Sequence, residues 1–108
     1  MGASTSADLG RFAEPAMLVL VSLTDGPRHG YAIMTDVETF AGATIGPGTL
    51  YAVLARLEQA GFIEPMESDE RRRPYRITES GRAAVAEQLD RMDRFVQVGR
   101  LRARQAAG

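Results

Sequence analysis

The stretch GPGTLYAVLARLEQAGFI, residues 46–63, holds the pattern on which the fold turns. Leu50, Val53, Leu54 and Leu57 recur at three- and four-residue spacing, which places them on one face of a helix. Pro47 stands in a first turn, where its missing N–H would have had no intrahelical partner. Gly61 stops the pattern, and Phe62-Ile63 opens a short strand. The spacing therefore predicts a helix over Pro47–Ala60, with Thr49, Ala52, Arg56 and Glu58 left for its other faces.

Upstream, a second helix is predicted from His29 or Gly30 to Phe40. Tyr31, Ile33, Met34 and Val37 are its buried side, Asp36 and Glu38 its outer side, and Gly42 its C-terminal glycine. Ala43-Thr44-Ile45-Gly46 connects it to the stretch above. Before it, a helical pattern begins at Phe12, with Glu14 and Pro15 in the first turn. Met17, Leu18, Leu20, Val21 and Leu23 make an apolar surface too broad for a helix with one wet face, so this helix is expected to meet both the core and a partner. Thr24-Asp25-Gly26-Pro27 ends it.

Downstream, Ile63–Glu67 and Tyr75–Thr78 read as a hairpin joined by the charged loop Ser68–Arg73, with Pro74 pointing to an edge position. Thr78-Glu79-Ser80-Gly81 then opens a last helix, capped by Thr78 or Ser80 and continuing to about Arg104. At about 1.5 Å per residue it spans roughly 40 Å, more than so small a core can cover. Val85, Leu89, Met92 and Val96 repeat at coiled-coil spacing with Phe95 beside them, a seam that a second copy would bury. Gly99 marks a place for this helix to bend or fray.

The element order is helix, helix, helix, strand, strand, long helix. That is a mainly α chain with a small β-hairpin: a winged helix-turn-helix carrying a long C-terminal dimerisation helix. The segments read as a disordered 1–10, a DNA-binding unit over 11–78 and a dimerisation helix over 79–108, whose tail is prone to fraying.

His29-Gly30-Tyr31, then Gly48-Thr49-Leu50-Tyr51 with Leu54, Arg56-Leu57-Glu58, Gly61-Phe62-Ile63 and Tyr75-Arg76-Ile77-Thr78-Glu79-Ser80-Gly81 resemble the successive signatures of the PadR family. They run in the family's order from Leu18 to about Val85. The resemblance implies a dimeric winged-helix regulator of transcription, in most cases a repressor released by a small ligand. Pro74, just before Tyr75, departs from the usual wing and puts sequence preference in question.

The residues themselves fit a DNA-binding role. The start of a recognition helix reaches base edges, and its free backbone amides favour phosphate. Thr44, Gly46, Pro47, Gly48 and Thr49 supply that start with small side chains, Tyr51 lies on its first turn, and Arg56 lies further along. The competing reading is structural: Pro47 and Thr49 merely start a helix, Tyr51 packs on the wing, and Glu58 and solvent satisfy Arg56. Arg71, Arg72 and Arg73 with Arg76 form the densest positive cluster, suited to phosphates or a minor groove. Against that stands a solvated loop in which Glu67, Asp69 and Glu70 offset the charge.

Composition limits the alternatives. A chain of 108 residues has room for one core, which excludes separate catalytic and regulatory domains. It has no cysteine, which removes disulfides, zinc ribbons and thiol chemistry. His29 is its single histidine, so no multi-histidine metal site forms, and no nucleophile motif surrounds Ser22, Ser68 or Ser80. His29 is expected to fix the start of the second helix. No enzyme, cofactor or metal is expected. The net charge of −1 means that affinity for phosphate must come from local clustering. All of the cationic side chains are arginine, which suits phosphate and guanine edges but also follows from a GC-rich genome.

No targeting stretch is visible and the apolar run Pro15–Val21 is too short to span a bilayer, so a cytoplasmic protein without membrane contact is expected. The expected partners are double-stranded DNA and a second copy, the latter through Met17, Val21, Val85, Leu89, Met92, Phe95 and Val96. The resemblance implies a small apolar or aromatic effector between the first and last helices in some relatives; Met17, Val21, Met92, Phe95 and Val96 are the candidates to line such a site. An ordinary dimer core explains the same residues, and no tryptophan is present to stack on a flat ligand. The alternative function is a ligand-sensing or protein-interaction module with little affinity for DNA.

Overall fold

Local rules account for where each helix begins and ends. The computed structural model describes residues 15–68 and 71–107. It contains α1 (Pro15–Leu23), α2 (Gly30–Ala41), α3 (Pro47–Gln59), β1 (Ile63–Pro65), β2 (Tyr75–Ile77) and α4 (Glu79–Ala107). This is the mainly helical winged helix-turn-helix order read from the sequence. The expected disorder of 1–10 and the start of α1 at Phe12 lie outside the described residues.

His29 caps α2 as expected, its Nδ1 accepting from the Ala32 N–H at 3.2 Å. Gly42 and Gly61 end α2 and α3 at φ of 63° and 80°, a backbone region that side chains with a Cβ avoid. Of the two candidates for capping α4, Thr78 does so, its Oγ1 accepting from the Gly81 N–H at 3.1 Å. Ser80 Oγ donates instead to the Gly61 carbonyl at 3.0 Å.

The two strands pair antiparallel, with Ile63 opposite Ile77, Glu64 opposite Arg76 and Pro65 opposite Tyr75. They are shorter than the sequence predicts. Neither Pro65 nor Pro74 has an N–H to give the ladder, and one bond from the Met66 N–H to the Pro74 carbonyl, 2.8 Å, is what continues it. Tyr75 also exchanges main-chain bonds with Arg28 at 2.9 and 3.1 Å, tying β2 to the segment before α2. This third contact is not visible in the sequence pattern.

The core gathers Val19, Leu20 and Leu23 of α1, Ile33 and Val37 of α2, and the whole Leu50, Val53, Leu54, Leu57 stripe of α3, closed by Ile63, Ile77 and Val85. Two residues of α2 turn out differently from expectation. Tyr31 is exposed, because Ile33 and Val37 define the inward stripe and Gly30 takes the buried place beside it. Asp36 is half-buried and accepts from the Ser22 hydroxyl at 2.8 Å, which satisfies that buried polar side chain.

Val85 also needs correction as a dimerisation residue. It is buried in its own protomer's core, because it lies only two turns into α4, where the helix still crosses the domain. Every residue from Ala86 to Ala107 is exposed. The helix runs past Arg104 and through Gly99 without interruption, about 43 Å in all at ~1.5 Å per residue. Its projection is why the radius of gyration is 16.3 Å, against about 13 Å for a compact chain of similar length. Among the described residues no helix is long and apolar enough to cross a membrane.

Candidate nucleic-acid interface

With Leu50, Val53, Leu54 and Leu57 turned inward, helical geometry fixes what α3 presents outward. Gly48, Ala52, Ala55 and Gln59 form its outermost stripe, all exposed. Tyr51 lies on one flank of that stripe, with Thr49 and Arg56 on the other. The structure separates these candidates accordingly. Pro47 and Tyr51 border a cleft of about 460 Å³ that reaches the wing. Thr49 and Arg56 border a groove of about 350 Å³ against Pro15 and Ala16 of α1. Thr44 and Gly46 are exposed in the connection before α3, and Gly46 is its N-cap without a side-chain bond.

The cleft joins three pieces of chain distant in sequence. His29, Gly30, Tyr31 and Met34 come from the start of α2, Pro47 and Tyr51 from α3, and Arg71, Arg72, Arg73 and Tyr75 from the wing. Two contacts set its shape. The Tyr51 hydroxyl lies where a Cβ on Gly30 would approach it to 3.2 Å, so the glycine makes room for the phenol. The Arg72 guanidinium sits over the Tyr31 ring, 5.6 Å from its centroid.

Charge in the wing is unevenly spent. Arg76 Nε donates to Glu64 Oε1 at 2.5 Å across the hairpin, so this arginine, predicted for DNA, already has a carboxylate partner. Among the described residues Arg71, Arg72 and Arg73 have no carboxylate within ion-pair distance. The predicted cluster of four is thus a cluster of three plus a cross-strand pair.

His29, Tyr31 and Tyr75 were not singled out for the site from the sequence, which read His29 as a cap and Tyr31 as core. The available signal was the aromatic pair Tyr31 and Tyr75 within motifs that otherwise carry arginine and glycine. Period alone does not place them, because the cleft is assembled by tertiary contact.

On α4 the predicted seam is solvent-exposed beyond Val85: Leu89, Met92, Phe95 and Val96 all are, Phe95 to 79%. Val98 and Leu101 extend the apolar surface and were missed, although Val98 follows Phe95 at helical spacing. On α1, Met17 and Val21 are half-buried. A cavity of about 270 Å³ does lie between α1 and α4. Met17 lines it with Leu20, Leu57, Phe62 and Ala84, whereas Val21, Met92, Phe95 and Val96 do not.

Comparison with known proteins bears on the same region. Residues 19–87 match the model of the transcriptional regulator PadR-like family. An uncharacterized 37.1 kDa protein in a transposon of Streptomyces fradiae is 43% identical over 85 residues, covering 79% of this chain and 25% of that protein. The transcriptional activator GvpE2 of Halobacterium salinarum is 31% identical over 82 residues, covering 76% of this chain and 40% of its own. The chain thus spans well under half the length of these two relatives. A PadR family transcriptional regulator from Eggerthella lenta superposes with a TM-score of 0.73 at 29% identity, covering 88% of this chain and 86% of that one.

Proposed function

This chain belongs to the PadR-like family of transcriptional regulators, and from that premise we propose that it represses transcription by binding a partly palindromic promoter site as a homodimer. In this reading α3 enters the major groove, with Thr44, Gly46, Pro47, Gly48 and Thr49 at its leading end and Tyr51 and Arg56 on its flanks. Arg71, Arg72 and Arg73 position the wing on phosphates or in the minor groove. The observation that carries the proposal is the shared cleft: three arginines without carboxylate partners among the described residues face the start of the helix whose outer stripe begins with the small residues Gly48, Ala52 and Ala55.

The exposed face of α4 supports a second copy as partner, since nothing among the described residues covers Leu89, Met92 and Val96. Two protomers joined there would hold their α3 helices about one DNA turn apart. A small ligand that shifts α4 against α1 would change that spacing and release DNA. The cavity beside Met17 is the place where such a molecule has room. One relative is named an activator; repression here rests on a site that overlaps the promoter.

The test is a fluorescence-anisotropy titration against duplexes from the DNA preceding the chain's own coding sequence, with scrambled duplex as control, at several salt concentrations. Preferential binding by two protomers per site, weakening as salt rises, is the expected result. Absence of binding at low salt would transfer the assignment to a ligand-sensing or protein-interaction module, which the net charge of −1 would then suit.

A further inference from the structure

In any duplex the major and minor grooves are separated by a sugar–phosphate strand. If α3 occupies one groove and the wing the next, that strand must run between them. The cleft lies there, bounded by α3 on one side and by the wing arginines on the other. We propose that this cleft is the seat of that backbone segment, and that His29, Tyr51 and Arg72 hold one phosphate of each half-site. The proposal rests on the reading of the chain as a DNA-binding regulator and extends it to residues at the start of α2.

The chemistry of the three groups is consistent with that ligand. His29 Nδ1 accepts the Ala32 N–H at 3.2 Å, so the neutral ring carries its proton on Nε2, as a donor on the side away from the cap. Tyr51 is exposed, its hydroxyl set beside Gly30 at the cleft wall, and it donates to no acceptor among the described residues. The Arg72 guanidinium lies 5.6 Å from the Tyr31 ring centroid, a contact that helps to hold it at the cleft while its N–H groups stay available to an anion. Tyr31 is then a positioning residue: it acts on phosphate only through Arg72. A cleft of about 460 Å³ exceeds what one tetrahedral anion fills, and fits phosphate together with its flanking sugars.

The test scans the duplex bound most tightly in the titration above with single methylphosphonates, which remove one phosphate charge at a time. The variants His29→Ala, Tyr51→Phe, Tyr31→Leu and Tyr31→Phe are measured on each duplex, with circular dichroism melts to confirm folding. One phosphate per half-site should stand out, its neutralisation weakening binding about tenfold, the order expected for lost bonds to a charged group. On that duplex alone, His29→Ala, Tyr51→Phe and Tyr31→Leu should cost little more, while Tyr31→Phe matches the unmodified chain on every duplex because the ring that supports Arg72 remains. Losses that multiply independently at every phosphate, or variants that change nothing while the unmodified chain binds, overturn this assignment and leave the DNA-binding reading intact. An unmodified chain that does not bind DNA overturns both.

Discussion

The α-carbon of Gly81 lies so close to the backbone of Phe62 that a Cβ there would stand 2.2 Å from the Phe62 carbonyl oxygen and 2.7 Å from a side-chain carbon of Ile77. This contact lets α4 start directly on the hairpin. The Thr78 N–H donates to the same carbonyl at 3.0 Å, so the oxygen cannot retreat without loss of that bond. Gly81→Ala should therefore destabilise the fold by about 2–3 kcal/mol despite the better helix propensity of alanine. A thermal melt should register a drop of roughly 10 °C or more; an unchanged midpoint would mean that the backbone yields freely.

A charge on the seam should separate subunits rather than unfold them. Met92 is exposed in the protomer, whereas Val85, two turns earlier on the same helix, is buried. Sedimentation or light scattering should give about twice 11.7 kDa for the unmodified chain and the monomer mass for Met92→Asp, with helical circular dichroism retained. Val85→Asp should lose the folded signal itself, since an unpaired carboxylate would enter the core. Monomeric behaviour of the unmodified chain would count against the dimer.

The contrast between Val85 and Met92 also marks what a sequence can reveal. Periodicity places both on one stripe, and the stripe is real. Where along it the protomer ends is a three-dimensional fact, set by how far α1 and the hairpin reach. The inward face of α3 was legible for the same reason, since Leu50, Val53, Leu54 and Leu57 follow one rule with no competing contact. Tyr31 was not legible: as an aromatic at the start of an apolar helix it reads as core, whereas Gly30 takes the buried place beside Ile33 and Val37 and leaves the ring outside, where Arg72 of the wing meets it. The Arg28 and Tyr75 bridge escaped detection because a single paired residue leaves no alternation to find.

Arg28 should matter to stability and to the set of the wing. Its guanidinium donates to the Ser22 carbonyl in the last turn of α1 and to Asp25 Oδ1 at 2.5 Å, and it lies 3.8 Å from Asp36. Arg28→Ala should cost about 1–2 kcal/mol, chiefly through the lost carbonyl bond. The hydrogen bond from Arg28 also holds the Asp25 carboxyl below its ordinary value of 3.8. A carboxyl so depressed adds stability that is complete above about 3.8 and fades as pH falls through the lower value. Acid titration of the fold should thus show less of a decline below that pH in Arg28→Ala than in the unmodified chain, with the difference reduced by salt because Asp25 is exposed.

The wing arginines should differ in their response to salt. Each phosphate neutralised contributes about 0.9 to the slope of log affinity against log salt. Replacing Arg71, Arg72 and Arg73 with alanine should flatten the slope by roughly 2–3 for each protomer bound. Arg76 is already paired with Glu64, so the charge-neutral double substitution Arg76→Gln with Glu64→Gln should leave the slope unchanged. A fall of about 1 in the double variant would show that Arg76 leaves its partner for DNA.

The outer stripe of α3 offers the cleanest separation of binding from folding. Ala52 is exposed and no core residue covers it, and leucine is nearly as good a helix former as alanine, so Ala52→Leu should melt within about 0.5 kcal/mol of the unmodified chain. The same bulk at the centre of a helix that must approach base edges closely should weaken every DNA sequence by at least about tenfold, the order of ~1–3 kcal/mol lost with one good base contact. Arg56, on the flank of the stripe, should behave otherwise. Its loss should relax preference at one position of each half-site by about 1–3 kcal/mol while binding elsewhere is kept. Competition against single-base variants of the site distinguishes the two patterns. Equal weakening on all variants by Arg56→Ala would reassign that side chain from a base edge to a phosphate.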